Sequence, residues 1–272
     1  MSRHHYEKKG PSTGSIVALI FVVIVFFAAI GIGAWQFLND TEYDKVTGCQ
    51  KERSQLQAKE QVVFLFDITD SLDEDVAYRL RLRVTNELRH YPDGTLIEFY
   101  ALDDRISNYK SDYFHCIPKR PEKANAWTEN AEMLKKEFDQ KFRKNLNQTL
   151  EKLTSSKESL KRSPICEMIK AVVLQSFADN KVKVLGNKKI IIISDFMHHS
   201  PGHFSMYRDG YDFEKFKKSE YGSALLLDSV ALNSDEIEAE LWYTKKMSVG
   251  NTKFWQKYFA RGGITVTRSE RI

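Results

Sequence analysis

This chain of 272 residues contains little cysteine, proline or glycine, with three, six and 13 residues of each. Three cysteines exclude a disulfide-dense secreted scaffold, and because there is no C-x-x-C pair we expect no cysteine-based zinc site. The proline and glycine contents exclude collagen-like and proline-rich low-complexity classes. The chain also has little excess of either charge, with 41 Lys and Arg residues against 37 Asp and Glu residues. A net charge of +4 is too small and too mixed to predict nucleic acid as the main partner.

What is present indicates a folded protein. Aromatic residues make up 12% of the chain, which excludes a disordered chain. At about 150 residues per domain, the length predicts one large domain or two small ones.

One segment lacks charge altogether. Residues 16–38 read IVALIFVVIVFFAAIGIGAWQFL, which is 23 residues without a charged side chain. A helix of this length reaches about 34 Å and can cross a hydrocarbon core about 30 Å thick. A cleaved signal peptide is the alternative, although its apolar region is usually only about 7–15 residues long, and a buried core helix is a second alternative. We predict an uncleaved transmembrane helix over 16–38, preceded by a basic tail over 1–15.

The basic residues around this segment bear on its orientation. Three precede it within residues 1–15, and three follow it at a greater distance within residues 45–53. Because basic residues favour the cytoplasmic side, we expect a single-pass protein of the cell (inner) membrane with its large domain on the periplasmic or extracellular side. The cysteines do not identify the compartment. Cys49, Cys116 and Cys166 could form one disulfide with one thiol left over, or all three could be free thiols.

Short apolar runs alternate with helical patterns in the rest of the chain. Strands are predicted at Val62–Phe66, Thr95–Leu102, Ile190–Ser194, Glu238–Tyr243 and Ile264–Thr267. Helices are predicted at 72–90, 164–177 and 251–260. This alternation predicts an α/β fold with a doubly wound, mostly parallel sheet over residues 61–272, behind a polar stalk or juxtamembrane segment over 39–60.

A helical insertion is predicted at about residues 109–162. Within it, residues 130–153 place apolar side chains on one face of a long amphipathic helix. This face is expected to pack on the sheet of its own domain, and a partner or coiled-coil surface is the alternative.

Oxygen-bearing side chains follow two of the predicted strands. Asp67, Thr69 and Ser71 come after the first strand and Asp195 after the third, while Ser163 precedes a helix that should begin at the same edge of the sheet. Ligands of open parallel sheets bind beyond the carboxyl ends of the strands. Because hydroxyl and carboxylate oxygens are the ligands that hard cations prefer, these residues predict a site for Mg²⁺ or Mn²⁺.

The same segments resemble a known family. FLFDITDSL resembles the D-x-S-x-S loop that forms the metal-ion-dependent adhesion site of von Willebrand factor A (vWA) domains, with Thr69 in place of the first serine. SPICEMIKAV resembles the family's Thr-Pro-Ile segment, and IIIISDF resembles the strand that delivers its last aspartate. The resemblance covers about residues 61–270, and the chain is similar to uncharacterised bacterial proteins in which a single-pass anchor precedes a vWA domain.

The resemblance implies a Rossmann-like fold and a function in binding rather than catalysis. Mg²⁺ would lie on Thr69, Ser71 and Ser163, with Asp67 and Asp195 acting through water. An acidic residue of a partner protein would complete the coordination sphere. The chain is therefore expected to be a membrane-anchored scaffold or adhesion-type module that binds a partner protein.

Helix capping is the structural alternative for these residues. Ser71 and Glu74 fit a Ser-x-x-Glu capping box at the start of the first helix. Ser163 precedes Pro164 as an N-cap precedes a proline at the first helical position, and Asp195 could cap a turn.

Histidines offer two weaker alternatives. His198, His199 and His203 are close enough in sequence to bind zinc, but no acid or cysteine partner is evident. A catalytic triad could be drawn from Ser200, His199 and Asp195, although the chain lacks a G-x-S-x-G elbow.

A metal-dependent phosphoesterase or nuclease is the alternative function. It would use Asp67, Asp70 and Asp195 as an acidic two-metal site at the same edge of the sheet. The hydroxyls at positions 69 and 71 and the weak net charge argue against it.

Overall fold

The structure is a computed structural model that describes residues 20–31, 42–102, 110–127, 129–155, 160–178, 181–229 and 237–272. The chain divides into two compact units, Met1–Glu42 and Tyr43–Ile272. Each unit is described by itself.

The described part of the first unit corrects the predicted transmembrane helix. Residues 20–31 are helical and are labelled α1. Within the described residues, no helix is both long and apolar enough to span a bilayer. The remaining residues of the predicted segment, 16–19 and 32–38, and the basic tail over 1–15 lie outside the described residues.

The described residues of the second unit form two sheets. Their strands are β1 (Gln50–Glu52), β2 (Gln55–Ala58), β3 (Gln61–Asp67), β4 (Leu96–Leu102), β5 (Tyr113–Cys116), β6 (Val182–Val184), β7 (Lys188–Ser194), β8 (Ile237–Tyr243) and β9 (Ile264–Arg271). The larger sheet has the order β5-β4-β3-β7-β8-β9, and the smaller has the order β1-β2-β6.

Both sheets mix parallel and antiparallel pairs. In the larger sheet, β3 runs parallel to β4 and β7, as do β7 to β8 and β8 to β9, but β5 runs antiparallel to β4. In the smaller sheet, β1 and β2 are antiparallel, whereas β2 and β6 are parallel. The predicted fold class, a doubly wound, mostly parallel sheet behind a transmembrane helix, is therefore wrong. The structure is a mixed α/β arrangement.

The direction of β5 has a physical reason. Only residues 103–112 separate β4 from β5, whereas a parallel crossover needs about a dozen residues or more, usually including a helix. The short connection therefore returns the chain antiparallel. Strand β5 lies inside the segment predicted as a helical insertion, and β1 and β2 lie inside the predicted stalk.

Helices cover both faces of the larger sheet. They are α2 (Glu74–Glu87), α3 (Ala131–Glu137), α4 (Lys144–Thr154), α5 (Ile165–Val173), α6 (Met206–Asp209), α7 (Phe213–Lys218), α8 (Glu220–Leu225) and α9 (Val249–Ala260). A π-helical turn, Phe138–Arg143, joins α3 to α4, and a second one, Leu174–Ala178, follows α5.

Strand β3 shows how the core is built. All seven of its residues are buried, and successive side chains point to opposite faces of the sheet. Val63 and Leu65 pack with α5 and α9, whereas Phe64 and Phe66 pack with α2 and α4. The apolar face of residues 130–153 packs in the same cluster as Phe64 and Phe66. It therefore packs within its own domain, as expected.

One disulfide ties the segment before β1 to the edge of the larger sheet. Cys49 and Cys116 are bonded, and Cys166 is a free, buried thiol. Both bonded cysteines are fully buried against Ala58 and Leu96. The bond links residues separated by 67 positions, so it removes many conformations from the unfolded chain.

Loss of this disulfide should destabilise the second unit. Chain-entropy arguments for a separation of 67 residues give about 4 kcal/mol, and measured losses are commonly about 2–5 kcal/mol. Reductant should therefore lower the denaturant midpoint of the wild-type protein, while a Cys49→Ser, Cys116→Ser double variant should start lower and not respond to reductant. A wild-type midpoint that reductant leaves unchanged would contradict a stabilising disulfide.

Candidate functional site

The polar residues at the carboxyl edge of the larger sheet are placed there by strand register. Phe66 of β3 pairs with Ile193 of β7, so Asp67 and Ser194, the next residue of each strand, lie at the same level. Ser194 pairs with Tyr243 of β8, which places Lys245 just beyond the third strand. The ends of three parallel strands thus bring their following loops together.

Asp67 is the centre of a short hydrogen-bond network. Its Oδ1 accepts the backbone N–H of Thr69 at 3.0 Å and the Thr69 hydroxyl at 2.5 Å. Its Oδ2 accepts the hydroxyl of Ser194 at 2.5 Å. Both carboxylate oxygens therefore accept hydrogen bonds, and the Thr69 hydroxyl is held in one orientation.

Ser163 reaches this network from the loop before α5. Its Oγ lies 3.3 Å from the Oγ1 of Thr69. Two backbone hydrogen bonds, each 2.9 Å long, pair Ser163 with His199, and the N–H of Leu160 donates to the carbonyl of Thr69 at 2.8 Å. Hydrogen bonds therefore connect the loop before α5 to the loops after β3 and β7.

Asp195 lines a small cavity together with Asp67 and is held by two donors. Its Oδ1 accepts the backbone N–H of Met197 at 2.9 Å, and its Oδ2 accepts the Nζ of Lys245 at 3.1 Å. The same ammonium donates to Oδ2 of Asp70 at 2.7 Å. Lys245 thus bridges the loops that follow β3 and β7.

The residue after Asp195 adopts a backbone conformation that is rare for a bulky side chain. Phe196 has a φ of 58°, in the left-handed region. Such a conformation costs about 1–3 kcal/mol and often occurs at functional sites. It is held by the Phe196 N–H, which donates to Ser194, and by its carbonyl, which accepts from Asn251 and Trp255.

Burial sets the electrostatics of Asp67. Removal from water raises the pKa of this carboxyl from 3.8 to about 6, and the negative charge of Asp195 acts in the same direction. The hydrogen bonds from Ser194 and Thr69 lower the pKa and offset part of that shift. Near neutral pH the site therefore holds a buried negative charge that a nearby cation would stabilise.

The five predicted ligands are not equally close to one another. Hydrogen-bond contacts join Asp67, Thr69 and Ser163. Asp195 and Ser71 line a cavity of about 70 Å³ together with Asp67, and Ser71 is exposed at its edge. The structure therefore brings three of the residues into one network and places the other two beside it.

Helix capping does not account for Ser71 or Ser163. Helix α2 has Asp73 at its N-cap, and α5 has Pro164 there, without a side-chain capping hydrogen bond at either position. The predicted capping box and serine N-cap are therefore wrong, because each helix begins later in the chain than expected. Asp195 does close a turn, through its bond to the N–H of Met197.

The spacing of one oxygen pair is compatible with a hard cation. Adjacent ligands in an octahedron at about 2.0–2.1 Å from the metal lie about 2.9 Å apart, and the hydroxyl oxygens of Thr69 and Ser163 are 3.3 Å apart. Because the Thr69 hydroxyl donates its proton to Asp67, its lone pairs remain available for a metal. Within the described residues, no group of three or more His, Cys, Asp or Glu side chains could hold a metal ion. The Mg²⁺ or Mn²⁺ site, which relies on hydroxyls, stays a prediction.

Two of the three histidines contact Tyr221, and the third contacts Ser205. His198 is fully buried with Nε2 3.2 Å from the Tyr221 hydroxyl, and His199 Nδ1 lies 2.9 Å from the hydroxyl of Ser205. The ring of His203 stacks on Tyr221. This arrangement does not converge on a zinc ion.

The suggested triad is not assembled either. The hydroxyl of Ser200 lies 3.4 Å from Glu167, whereas His199 contacts Ser205. The carboxylate of Asp195 is engaged by Met197 and Lys245.

Three contributors to this edge were missed in the sequence. Ser194 ends a buried strand, Lys245 follows another strand by two residues, and Phe196 supplies the unusual backbone. Asp67 and Asp195 are recognisable in the sequence because they end or follow apolar strands. The same signal is present at Ser194 and Lys245. The left-handed conformation of Phe196 has no signal in the sequence.

Known proteins do not identify a family for this chain. No protein-family model matches the chain, and no curated protein matches it. Among solved structures, it is similar to the proximal thread matrix protein 1 from the mussel byssus, with 9% identity and a TM-score of 0.41 over 79% of this chain and 45% of that chain. It is also similar to a mutant of the PilB minor pilin from Streptococcus sanguinis, with 9% identity and a TM-score of 0.41 over 80% and 58%. The chain spans about half the length of these two proteins, and similarity this low carries no conclusion about function.

Replacing the buried carboxyl should change how stability depends on pH. Because folding raises the pKa of Asp67 from 3.8 to about 6, the contribution of this carboxyl to the stability of the metal-free protein should fall as pH rises from about 4 to about 6, and then level off. In EDTA at pH 8, Asp67→Asn should raise the free energy of unfolding by about 1–3 kcal/mol, and the gain should disappear near pH 4.

Denaturant unfolding across this pH range measures the effect. Asp70→Asn removes a carboxylate that is 47% exposed, and it serves as the matched control with little expected change. If Asp67→Asn destabilises the protein equally at both pH values, burial of a charged Asp67 is not the cause.

Proposed function

We propose that this chain is a protein-interaction module that binds its partner through a divalent cation at the carboxyl edge of the larger sheet. The observation that carries this proposal is the meeting of Asp67, Thr69 and Ser163, which come from two separate loops. The proposal agrees with the function that the vWA resemblance implies.

Each residue has a distinct part in this proposal. The hydroxyls of Thr69, Ser71 and Ser163 would hold Mg²⁺ or Mn²⁺ directly. Asp67 orients the Thr69 hydroxyl and, with Asp195, would act on the cation through water. Neutral ligands leave a hard cation strongly electrophilic, so a carboxylate of the partner protein is the ligand that would complete its coordination.

Two features support binding over phosphoester hydrolysis. The three carboxylates that a two-metal site would need are already engaged, Asp67 by hydroxyls and both Asp70 and Asp195 by Lys245. The cavity of about 70 Å³ is also far smaller than the roughly 300–1,000 Å³ of pockets for drug-sized ligands. Such a space suits an ion and a carboxylate better than a nucleotide.

Exposed side chains near this edge suit a protein partner. The ring of Tyr207 is 66% exposed and contacts His199, whose backbone is paired with Ser163. Exposed Tyr211 lies between α6 and α7, with its hydroxyl against Met197, and exposed Met247 belongs to the loop that follows β8. Aromatic residues and methionine are enriched at protein interfaces, which supports contact around the cation.

The disulfide supports a location outside the cytosol. Disulfides persist in oxidising compartments and are rare where thiols are kept reduced. We therefore place the domain in the periplasm or outside the cell, where a partner protein would meet it.

Cation binding should stabilise the folded chain. A ligand at about 100 times its dissociation constant adds about 2.7 kcal/mol, or roughly 5–10 °C in the melting temperature of a domain of this size. We expect a rise of that order when the full chain in EDTA is transferred to excess Mg²⁺ or Mn²⁺. Thr69→Ala and Asp195→Ala should abolish it.

The exposed acid Asp75 provides the control, because Asp75→Ala removes one negative charge from α2 and should retain the shift. Absence of any shift at millimolar Mg²⁺ and Mn²⁺ would count against the proposal. Metal-dependent turnover of a phosphate ester that is lost in Asp195→Ala would favour the hydrolase alternative.

A further inference from the structure

Lys245 places a positive charge of the protein itself at the proposed cation site. Its Nζ lies 2.7 Å from Oδ2 of Asp70 and 3.1 Å from Oδ2 of Asp195. The lysine side chain is 59% exposed, and that of Asp195 is 9% exposed. The ammonium therefore covers a largely buried carboxylate from the solvent side.

The position of this ammonium matters because of the oxygen it occupies. Oδ1 of Asp195 accepts a backbone N–H, that of Met197, whereas the contact of this carboxylate with a cation is made through Oδ2. That is the oxygen to which Lys245 donates. Lys245 also lines the same cavity as Asp67 and Ser71.

Electrostatics favour some cation at this position. Asp67, Asp70 and Asp195 bring three carboxylates to one edge, and Lys245 is the cation that bridges two of them. A divalent ion beside Asp195 would be repelled by an ammonium at hydrogen-bond distance from the same oxygen. The direct contact of the ammonium with Asp195 and a water-mediated contact of a divalent ion with the same carboxylate would therefore compete.

We propose that Lys245 is a built-in competitor for the divalent cation, holding Asp195 while no metal is bound and releasing it when metal binds. This inference rests on the proposed function, because it describes the regulation of the same site. Lys245 can stay paired with Asp70 after release, so only one of its two contacts must break. The chain thereby lowers its own affinity for metal and stabilises its metal-free form.

The expected effect is modest because Lys245 is exposed. Exposed ion pairs contribute little, and loss of one such contact corresponds to about a two- to fivefold change in an equilibrium constant. Lys245→Ala should therefore bind Mg²⁺ or Mn²⁺ about two- to fivefold more tightly than the wild type. In EDTA the same variant should melt at a lower temperature, because Asp195 loses its cation.

Calorimetric titration of the full chain with Mn²⁺, together with thermal unfolding in EDTA, tests both effects. Lys246→Ala is the matched control, since the neighbouring exposed lysine carries the same charge and its removal should alter neither quantity. Lys245→Arg keeps the charge and should retain the wild-type melting temperature in EDTA.

The outcomes separate this inference from the function on which it rests. Equal metal affinity in the wild type and Lys245→Ala, or an equal gain in Lys246→Ala, would overturn the competition and leave the cation site standing. Binding seen only in Lys245→Ala would count against the proposed function of the wild-type chain, and it would overturn competition of the modest size expected here. If neither protein binds metal, both the proposed function and this inference fail.

Discussion

The carboxylate of Asp67 is buried at the end of a strand whose seven residues are all buried, and the candidate site is arranged around that constraint. A charge in such a position is costly unless hydrogen bonds and cations offset the loss of water. Ser194 and Thr69 donate directly to it, and Thr69 in turn lies beside Ser163. The sheet supplies the rigidity, because β3 is hydrogen-bonded to a parallel strand on each side.

The same constraint explains why a lysine lies at this edge. Carboxylates from the loops after β3 and β7 meet within a small cavity, and Lys245 brings a positive charge from the loop after β8. The ammonium of Lys245 and a divalent ion from solution would each offset the negative charge of these carboxylates. The proposed competition follows from the fact that both would use Asp195.

Sequence reasoning succeeded where a pattern is local. The five predicted strands are all found, and the signal is clearest in β3 and β7, where strands buried on both faces are rich in apolar residues. It failed where no apolar run marks a strand or its direction. The antiparallel β5 follows from a short connection after β4, and β1 and β2 lie in a polar stretch that is stabilised by pairing and by the bond from Cys49 to Cys116. Ser71 and Ser163 match capping patterns, yet α2 and α5 begin beyond them.

By itself, the sequence determined where the buried strands lie and which oxygen-bearing residues follow them, because hydrophobic burial and the polarity of strand ends are properties of neighbouring residues. Only the tertiary structure decided which of those residues meet. Thr69 and Ser163 are 94 positions apart, Asp67 and Ser194 are 127 apart, and Asp70 and Lys245 are 175 apart. Contacts over such separations depend on the order and register of the strands, which no single segment specifies.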